Sequence, residues 1–203
     1  MNQIALPLDW PDDGDDSAFI IDDSNVEAVR HLEHWSLWPV RVSLLTGPRK
    51  SGKTTLGRMF ARKSGGRLID DADLSDEEPL FHAWNLAQAE KRPLLIIADA
   101  PPPRWQIKLP DLRSRMAATP KTAIGDPGDM LIEARLQRHF SSQGMNVPQN
   151  AIDYVLKRMD RSHFALHRLI ETLDRLAFER KSRITLALAK MAMAEDGESA
   201  PGD

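Results

Sequence analysis

Val40-Arg-Val-Ser-Leu-Leu-Thr46, running straight into Gly47-Pro-Arg-Lys-Ser-Gly-Lys-Thr54, is the stretch on which the fold turns. The first part is rich in β-branched and aliphatic residues and stops at a glycine, which predicts a strand. From Lys53 to Ser64 the pattern predicts a helix, stopped by Gly65-Gly66. Between them lies a complete G-x-x-x-x-G-K-[ST] pattern, in the strand-to-helix context of a phosphate-binding P-loop. Glycines at its two ends let successive backbone N–H groups turn inward around phosphate oxygens, and the helix N-terminus adds its positive dipole end. Lys53 suits the outer phosphates and the Thr54 hydroxyl suits Mg²⁺. Gly47, Ser51, Gly52, Lys53, Thr54 and the following Thr55 are the candidate phosphate-binding set.

Outward from this motif, strands and helices alternate. A helix is expected from a cap at Ser24 or Asn25 to about His34, and a short strand over Arg67 to Ile69. Leu74 to Lys91 has helical spacing, with Ser75 and Glu78 in capping-box register. Pro93 to Ala98 is a continuous apolar strand suited to a buried parallel sheet. Leu109 to Ala118 predicts a helix and Lys121 to Ile124 a last strand, so the fold class is α/β. After Asp126-Pro127-Gly128 only helical patterns remain, over Met130 to Ser142, Gln149 to Met159, Ser162 to Lys181 and Thr185 to Glu195.

Composition narrows the function classes. The 27 Lys and Arg against 30 Asp and Glu give a net charge of −3, and 41% of residues are hydrophobic, an ordinary globular balance. With no cysteine, disulfides, thiolate metal sites and cysteine nucleophiles are excluded. The longest apolar run, Leu94 to Ala98, is far short of the roughly 20 residues of a spanning helix, and no basic-then-apolar leader opens the chain. The expectation is a soluble, cytoplasmic protein with no membrane partner. Charge is nonetheless uneven: Asp9 to Asp16 holds five Asp, whereas Arg49 to Arg67 holds seven basic residues and no acid, which suits an anion. His31/His34 and His163/His167 have same-face helical spacing, but no HExxH pattern makes them a metal site.

A P-loop also needs a carboxylate at the end of a neighbouring strand to hold Mg²⁺. Leu68-Ile69-Asp70-Asp71 offers paired acids after a short strand, and Leu95-Ile96-Ile97-Ala98-Asp99 offers one after a longer strand. Spacing alone leaves both open.

Together with Gln3-Ile-Ala-Leu-Pro-Leu8, Leu80-Phe-His-Ala-Trp-Asn85, Leu94 to Pro103 and Leu109-Pro-Asp-Leu-Arg-Ser-Arg-Met116, these motifs form a chain that resembles the DnaA-related regulatory inactivator family (Hda) of the AAA+ P-loop ATPases. The resemblance runs from Gln3 to about Ala189 and implies an AAA+ core followed by an all-helical lid. It implies that Asp70 is the Mg²⁺-linked acid with Asp71 beside it, that Asp99 is the sensor I residue, and that Ser24-Asn25 lines the nucleotide base. Arg115 matches the arginine finger, which in this family serves a nucleotide on a neighbouring protein. The cofactors implied are ADP or ATP with Mg²⁺. Gln3, Ile4, Leu6, Pro7 and Leu8 match a peptide for the DNA polymerase sliding clamp, where Gln3 supplies polar contacts, the leucines anchor and Pro7 lowers the ordering cost.

Three features depart from the family. Only about four residues separate the P-loop helix from Leu68, so the parallel sheet is expected to be shortened. The sensor II arginine position holds His167, with Arg168 or Arg161 as substitutes. The initiator's helix-turn-helix domain has no counterpart after Glu195, so sequence-specific DNA binding is not expected. The expected organisation is a flexible tail with the clamp peptide over 1–17, an AAA+ nucleotide-binding core over 18–125, a helical lid over 126–195 and a disordered tail over 196–203. The expected function is negative regulation of replication initiation. The clamp and the initiator DnaA are its partners, and a second copy of the chain is a further one. The chain is expected to activate hydrolysis in DnaA rather than to be a strong ATPase itself. A small P-loop kinase and a DNA-binding AAA+ accessory protein are the alternatives.

Overall fold

The computed structural model describes residues 19–198. The clamp-type hexamer Gln3 to Leu8 and the acidic run Asp9 to Asp16 lie outside the described residues. Within them the elements alternate as the sequence predicts: α1 (Val26–Glu33), β1 (Val42–Thr46), α2 (Lys53–Ser64), β2 (Arg67–Ile69), α3 (Glu77–Ala89), β3 (Leu94–Ala98), α4 (Pro110–Ala118) and β4 (Lys121–Ala123). Four further helices follow, α5 (Asp129–Ser141), α6 (Gln149–Leu156), α7 (His163–Arg180) and α8 (Leu186–Glu198).

The strands form one four-stranded sheet in the order β2-β3-β1-β4, every neighbour pair requiring a crossover. β2 runs parallel to β3, with Arg67 opposite Leu94 and Ile69 opposite Ile96. All five residues of β1 and all five of β3 are buried; β3 is an unbroken apolar run, whereas β1 also buries Ser43 and Thr46, whose hydroxyls donate to the Pro120 and Thr122 carbonyls. The expected shortening is present. Only Gly65-Gly66 joins α2 to β2, and that turn is tight: a β-carbon on Gly66 would stand 2.6 Å from the Pro93 carbonyl oxygen.

One expected element divides. The helix read over Leu74 to Lys91 is a 3-10 turn, Ala72–Leu74, followed by α3 beginning only at Glu77. The Ser75/Glu78 capping box does not form. Ser75 Oγ instead donates backwards to the Asp71 carbonyl at 3.0 Å. The cap falls on Asp76, in extended conformation and with no side-chain capping bond. Elsewhere boundaries agree to within about three residues, with α6 ending at Leu156 and α8 continuing to Glu198.

Packing divides the described residues into two units, one of residues 19, 31–45 and 52–121 and the other of 20–30, 46–51 and 122–198. The first is built on β1, β3, α3 and α4, with Val42, Leu44, Leu80, Leu94, Ile96, Leu112 and Met116 at its centre. In the same unit His31 stacks on Trp38 and Trp38 on Phe60, at centroid separations of 5.2 and 5.4 Å. The His31 Nε2 also meets Ser43 Oγ at 2.7 Å, and burial pushes this imidazole below its ordinary pKa. His31 thus packs against Trp38 and Ser43.

The second unit holds a continuous core from α5 to α8, including Leu136, Phe140, Ile152, Leu166, Leu169, Leu173 and Leu188. Ser162 caps α7 by accepting from the Ala165 N–H at 3.0 Å. No described helix is long and apolar enough to cross a membrane. Leu166 is 0% exposed, so Leu166→Ala is expected to cost about 2–5 kcal/mol in denaturant unfolding. On the same helix Phe178 is 85% exposed, and Phe178→Ala is expected to stay within about 0.5 kcal/mol of the parent.

Candidate functional site

β1 ends where side chains end. Gly47 has φ +154°, and a β-carbon there would come within 2.8 Å of the Ile124 carbonyl oxygen, a backbone atom that cannot step aside. The chain then turns through left-handed residues at Lys50 (φ 66°) and Gly52 (φ 93°). Gly52 is the residue that opens α2. A backbone turned in this way directs N–H groups into one concavity, to which a helix N-terminus adds its dipole. Ser51 Oγ is buried and has no hydrogen-bond partner. An orphaned buried hydroxyl inside such a turn fits a phosphate oxygen, since leaving it unpaired costs about 1–3 kcal/mol.

Lys53, Thr54 and Thr55 form the first turn of α2. Lys53 is buried, and its Nζ lies 3.1 Å from Asp99 Oδ1, just past the C-terminal end of β3. That ion pair holds the ammonium against the strand end, so the lysine is positioned before any phosphate arrives. The backbone N–H of Asp99 donates to Asp73 Oδ2 at 3.1 Å, which ties the 3-10 turn to the same strand end. Asp70 and Asp71 follow β2. Asp70 Oδ1 accepts from the Asp71 N–H at 3.0 Å, and Asp71 sits in the left-handed region at φ 48°. β3 therefore places Asp99 against Lys53, while β2 delivers Asp70 and Asp71 at its own end. No cluster of three or more His, Cys, Asp or Glu suited to a metal occurs among the described residues.

The other candidates belong to the second unit. Asn25 is 2% exposed, and its amide is fully engaged locally. Its Nδ2 donates to the Ile20 carbonyl (2.9 Å) and to Asp22 Oδ1 (3.0 Å), while Oδ1 accepts from the Asp22 N–H (3.2 Å). The residue shapes the 20–25 turn. Around the sensor II position, His167 pairs with Glu171, Arg161 with Asp129, and Arg168 Nη2 lies 3.2 Å from Asp196 Oδ1. His163 is 1% exposed and donates from Nε2 to the Gly125 carbonyl at 2.8 Å, leaving Nδ1 as a buried acceptor with no partner. Burial pushes this imidazole below its ordinary value and the Arg135 charge adds to that, against the Gly125 bond and the Asp126 and Asp22 charges.

Arg115 lies near the end of α4, half-buried, with its guanidinium carbon 4.9 Å from the Phe81 ring centroid and 4.8 Å from that of Trp84. Among the described residues it forms no ion pair. The start of α4 is set by Pro110 at its first position and by the Glu77 carboxylate. That carboxylate accepts from the N–H groups of Lys108 (2.8 Å) and Leu109 (2.6 Å).

Residues 129–193, within the second unit, match the family model described as "Hda, lid domain". The fold is similar to that of domain III of the Thermotoga maritima replication initiation protein DnaA. There the TM-score is 0.72 at 15% identity, over 89% of this chain and 95% of that one. It is also similar to a replication initiator DnaA bound to AMPPCP and single-stranded DNA (TM-score 0.61, 17% identity, 82% of this chain and 67% of that chain). The likeness to the Hda model thus covers the C-terminal helices, and the likeness to DnaA is one of fold. The fold is likewise similar to that of the Thermotoga maritima RuvB Holliday junction branch migration motor, at TM-score 0.62 and 18% identity over 84% and 69% of the two chains.

Sequence reasoning missed the parts played by four residues of the first unit: Asp73, Glu77 and the aromatic pair Phe81 and Trp84 under Arg115. Phe81 and Trp84 stand three residues apart on one helix, a spacing that marks a shared face but not its occupant. Glu77 was legible only as a helix-start acid. Its carboxyl is held below the usual glutamate range by the Lys108 and then the Leu109 N–H, with the Lys108 charge adding to this and burial opposing it. A depressed carboxylate stabilises the fold above its unfolded value and ceases to do so as pH falls through the folded one. Thermal melts taken between about pH 6 and about pH 3 are therefore expected to show a smaller acid-side loss in Glu77→Gln than in the parent.

Proposed function

We propose that this protein is a negative regulator of chromosomal replication initiation. It docks on the DNA polymerase sliding clamp through Gln3, Ile4, Leu6, Pro7 and Leu8, and stimulates hydrolysis of ATP bound to the initiator DnaA through Arg115. The observation that carries the reading is the match to the Hda lid model over 129–193, following a P-loop pattern and an Arg115 that has no carboxylate partner among the described residues. In functional terms the chain divides into the tail 1–17, the AAA+ core 18–125, the lid 126–195 and the terminal segment 196–203.

The chain's own P-loop binds ADP or ATP with Mg²⁺. Gly47, Ser51, Gly52, Lys53, Thr54 and Thr55 hold phosphate, Thr54 and Asp70 hold the ion, and Asn25 and Arg168 serve the base and the outer phosphates. Bound there, the nucleotide supplies negative charge that the Lys53 ammonium balances. Asp71 and Asp99 would supply the carboxylates at the phosphate end. Arg168 must leave its ion pair with Asp196 of α8 to reach the phosphates, and with His167 at the sensor II position the chain alone is a weak ATPase. A second copy of the chain is a further partner, through the same AAA+ faces.

Clamp docking raises the local concentration of the AAA+ core around initiator molecules. The Arg115 guanidinium then enters the DnaA site and stabilises charge on the γ-phosphoryl group as water displaces ADP. For arginine fingers such an effect is worth about 10³–10⁵ in rate. The decisive assay follows hydrolysis of DnaA-bound ATP with DNA-loaded clamp. The parent is expected to accelerate it, and Arg115→Ala to abolish the acceleration while clamp binding persists. Equal rates with and without the parent would overturn the reading. In equilibrium binding of a fluorescent ADP, Lys53→Ala is expected to lose at least tenfold in affinity, about 1.4 kcal/mol, since a charge-assisted phosphate contact is removed.

A further inference from the structure

Arg115 is held by a closed set of contacts within the first unit. Its guanidinium rests on the rings of Phe81 and Trp84, which share a face of α3. Trp84 is itself pinned, its Nε1–H donating to Thr119 Oγ1 at 3.1 Å. The Thr119 hydroxyl in turn donates to the Arg115 carbonyl at 2.9 Å. Arginine head, indole face, indole edge, threonine and arginine backbone thus form one circuit. Trp84 and Thr119 are 7% and 3% exposed, so the circuit is anchored in packed interior, whereas Phe81 is half-buried.

The chemistry of this support is selective. Aromatic faces attract a cation through their quadrupole and leave its net charge intact. A carboxylate would grip the same head through two of its five N–H donors and cancel the charge that a phosphate requires. An unsupported arginine would sample many rotamers, and a reacting-group misplacement of about 1 Å can cost on the order of a hundredfold in rate. We propose that Phe81, Trp84 and Thr119 are positioning residues that cradle Arg115 for a phosphate on a partner protein, an inference that rests on Arg115 acting in trans as proposed above.

The test compares Phe81→Leu, Phe81→Tyr, Thr119→Val, Thr119→Ser and Arg115→Ala in the clamp-dependent assay of DnaA-bound ATP hydrolysis, across a range of protein concentrations. Phe81→Leu and Thr119→Val are expected to lower the maximal stimulated rate about tenfold, with the half-saturating concentration little changed. Phe81→Tyr keeps a ring face and Thr119→Ser keeps the hydroxyl, so both are expected to rescue the rate. A merely structural role would move melting temperature and half-saturation instead, and both are measured on every variant. By NMR, the Arg115 side-chain protons are expected to lie upfield in the parent, under the ring currents, and to move downfield in Phe81→Leu. Parent-like maximal rates in Phe81→Leu and Thr119→Val, with Arg115→Ala inactive, would overturn the cradle and leave the finger standing. A parent-like rate in Arg115→Ala would overturn both together.

Discussion

At Gly47 the backbone passes so close to the Ile124 carbonyl that no β-carbon fits, and the turn of the P-loop pattern starts from that contact. Because β1 is buried along its whole length, its end cannot slide to relieve a clash. The chain must leave the strand abruptly, and left-handed residues at Lys50 and Gly52 complete the reversal into α2. Ser51 is carried into the interior of the turn with its hydroxyl unpaired, and Lys53 is delivered to the end of β3. A substitution at Gly47 would therefore disturb the strand, the turn and the first turn of the helix together.

The two cations central to the proposed activity are held in opposite ways. Lys53 is buried against Asp99, an arrangement that suits a compact ammonium, whose desolvation must be balanced by a nearby charge. Arg115 is only half-buried and lies on two aromatic faces, which suits a planar, weakly hydrated guanidinium that stacks without losing its charge. Glu77 and Pro110 set where α4 begins, and Thr119 closes its last turn, so helix placement and side-chain support come from the same short segment. The Hda-type lid has an apolar core of its own, running through α5, α6, α7 and α8. Its surface cations are largely spoken for, Arg161 by Asp129, Arg168 by Asp196 and Arg175 by Glu179 and Glu195.

Much of the fold was legible because its signals are local. A buried parallel strand must be apolar throughout, so Leu94 to Ala98 announces itself. A helix that follows a P-loop must begin at the lysine, so Lys53–Ser64 is bounded correctly at both ends. The one helix misjudged began with a serine and a glutamate in capping register. There, the helix begins two residues later, at Glu77, and the Ser75 hydroxyl donates back to the Asp71 carbonyl instead of accepting from a helix N–H. Asn25 was legible as a polar residue at a helix start, yet the use of its amide within its own turn depends on the approach of Ile20 and Asp22.

From the amino-acid order alone came the P-loop with its flanking strand and helix, the alternation that makes the sheet parallel, the shortened connection after α2 and the all-helical C-terminal region. Each depends on residues near one another in the chain, where stereochemistry and periodicity act directly. Tertiary structure alone decided that Asp99 rather than Asp70 meets Lys53, that Glu77 starts a helix more than 30 residues downstream, and that Arg115 rests on Phe81 and Trp84. Those choices join segments distant in sequence. Which side chains meet there depends on strand order and helix placement, quantities that no local pattern encodes.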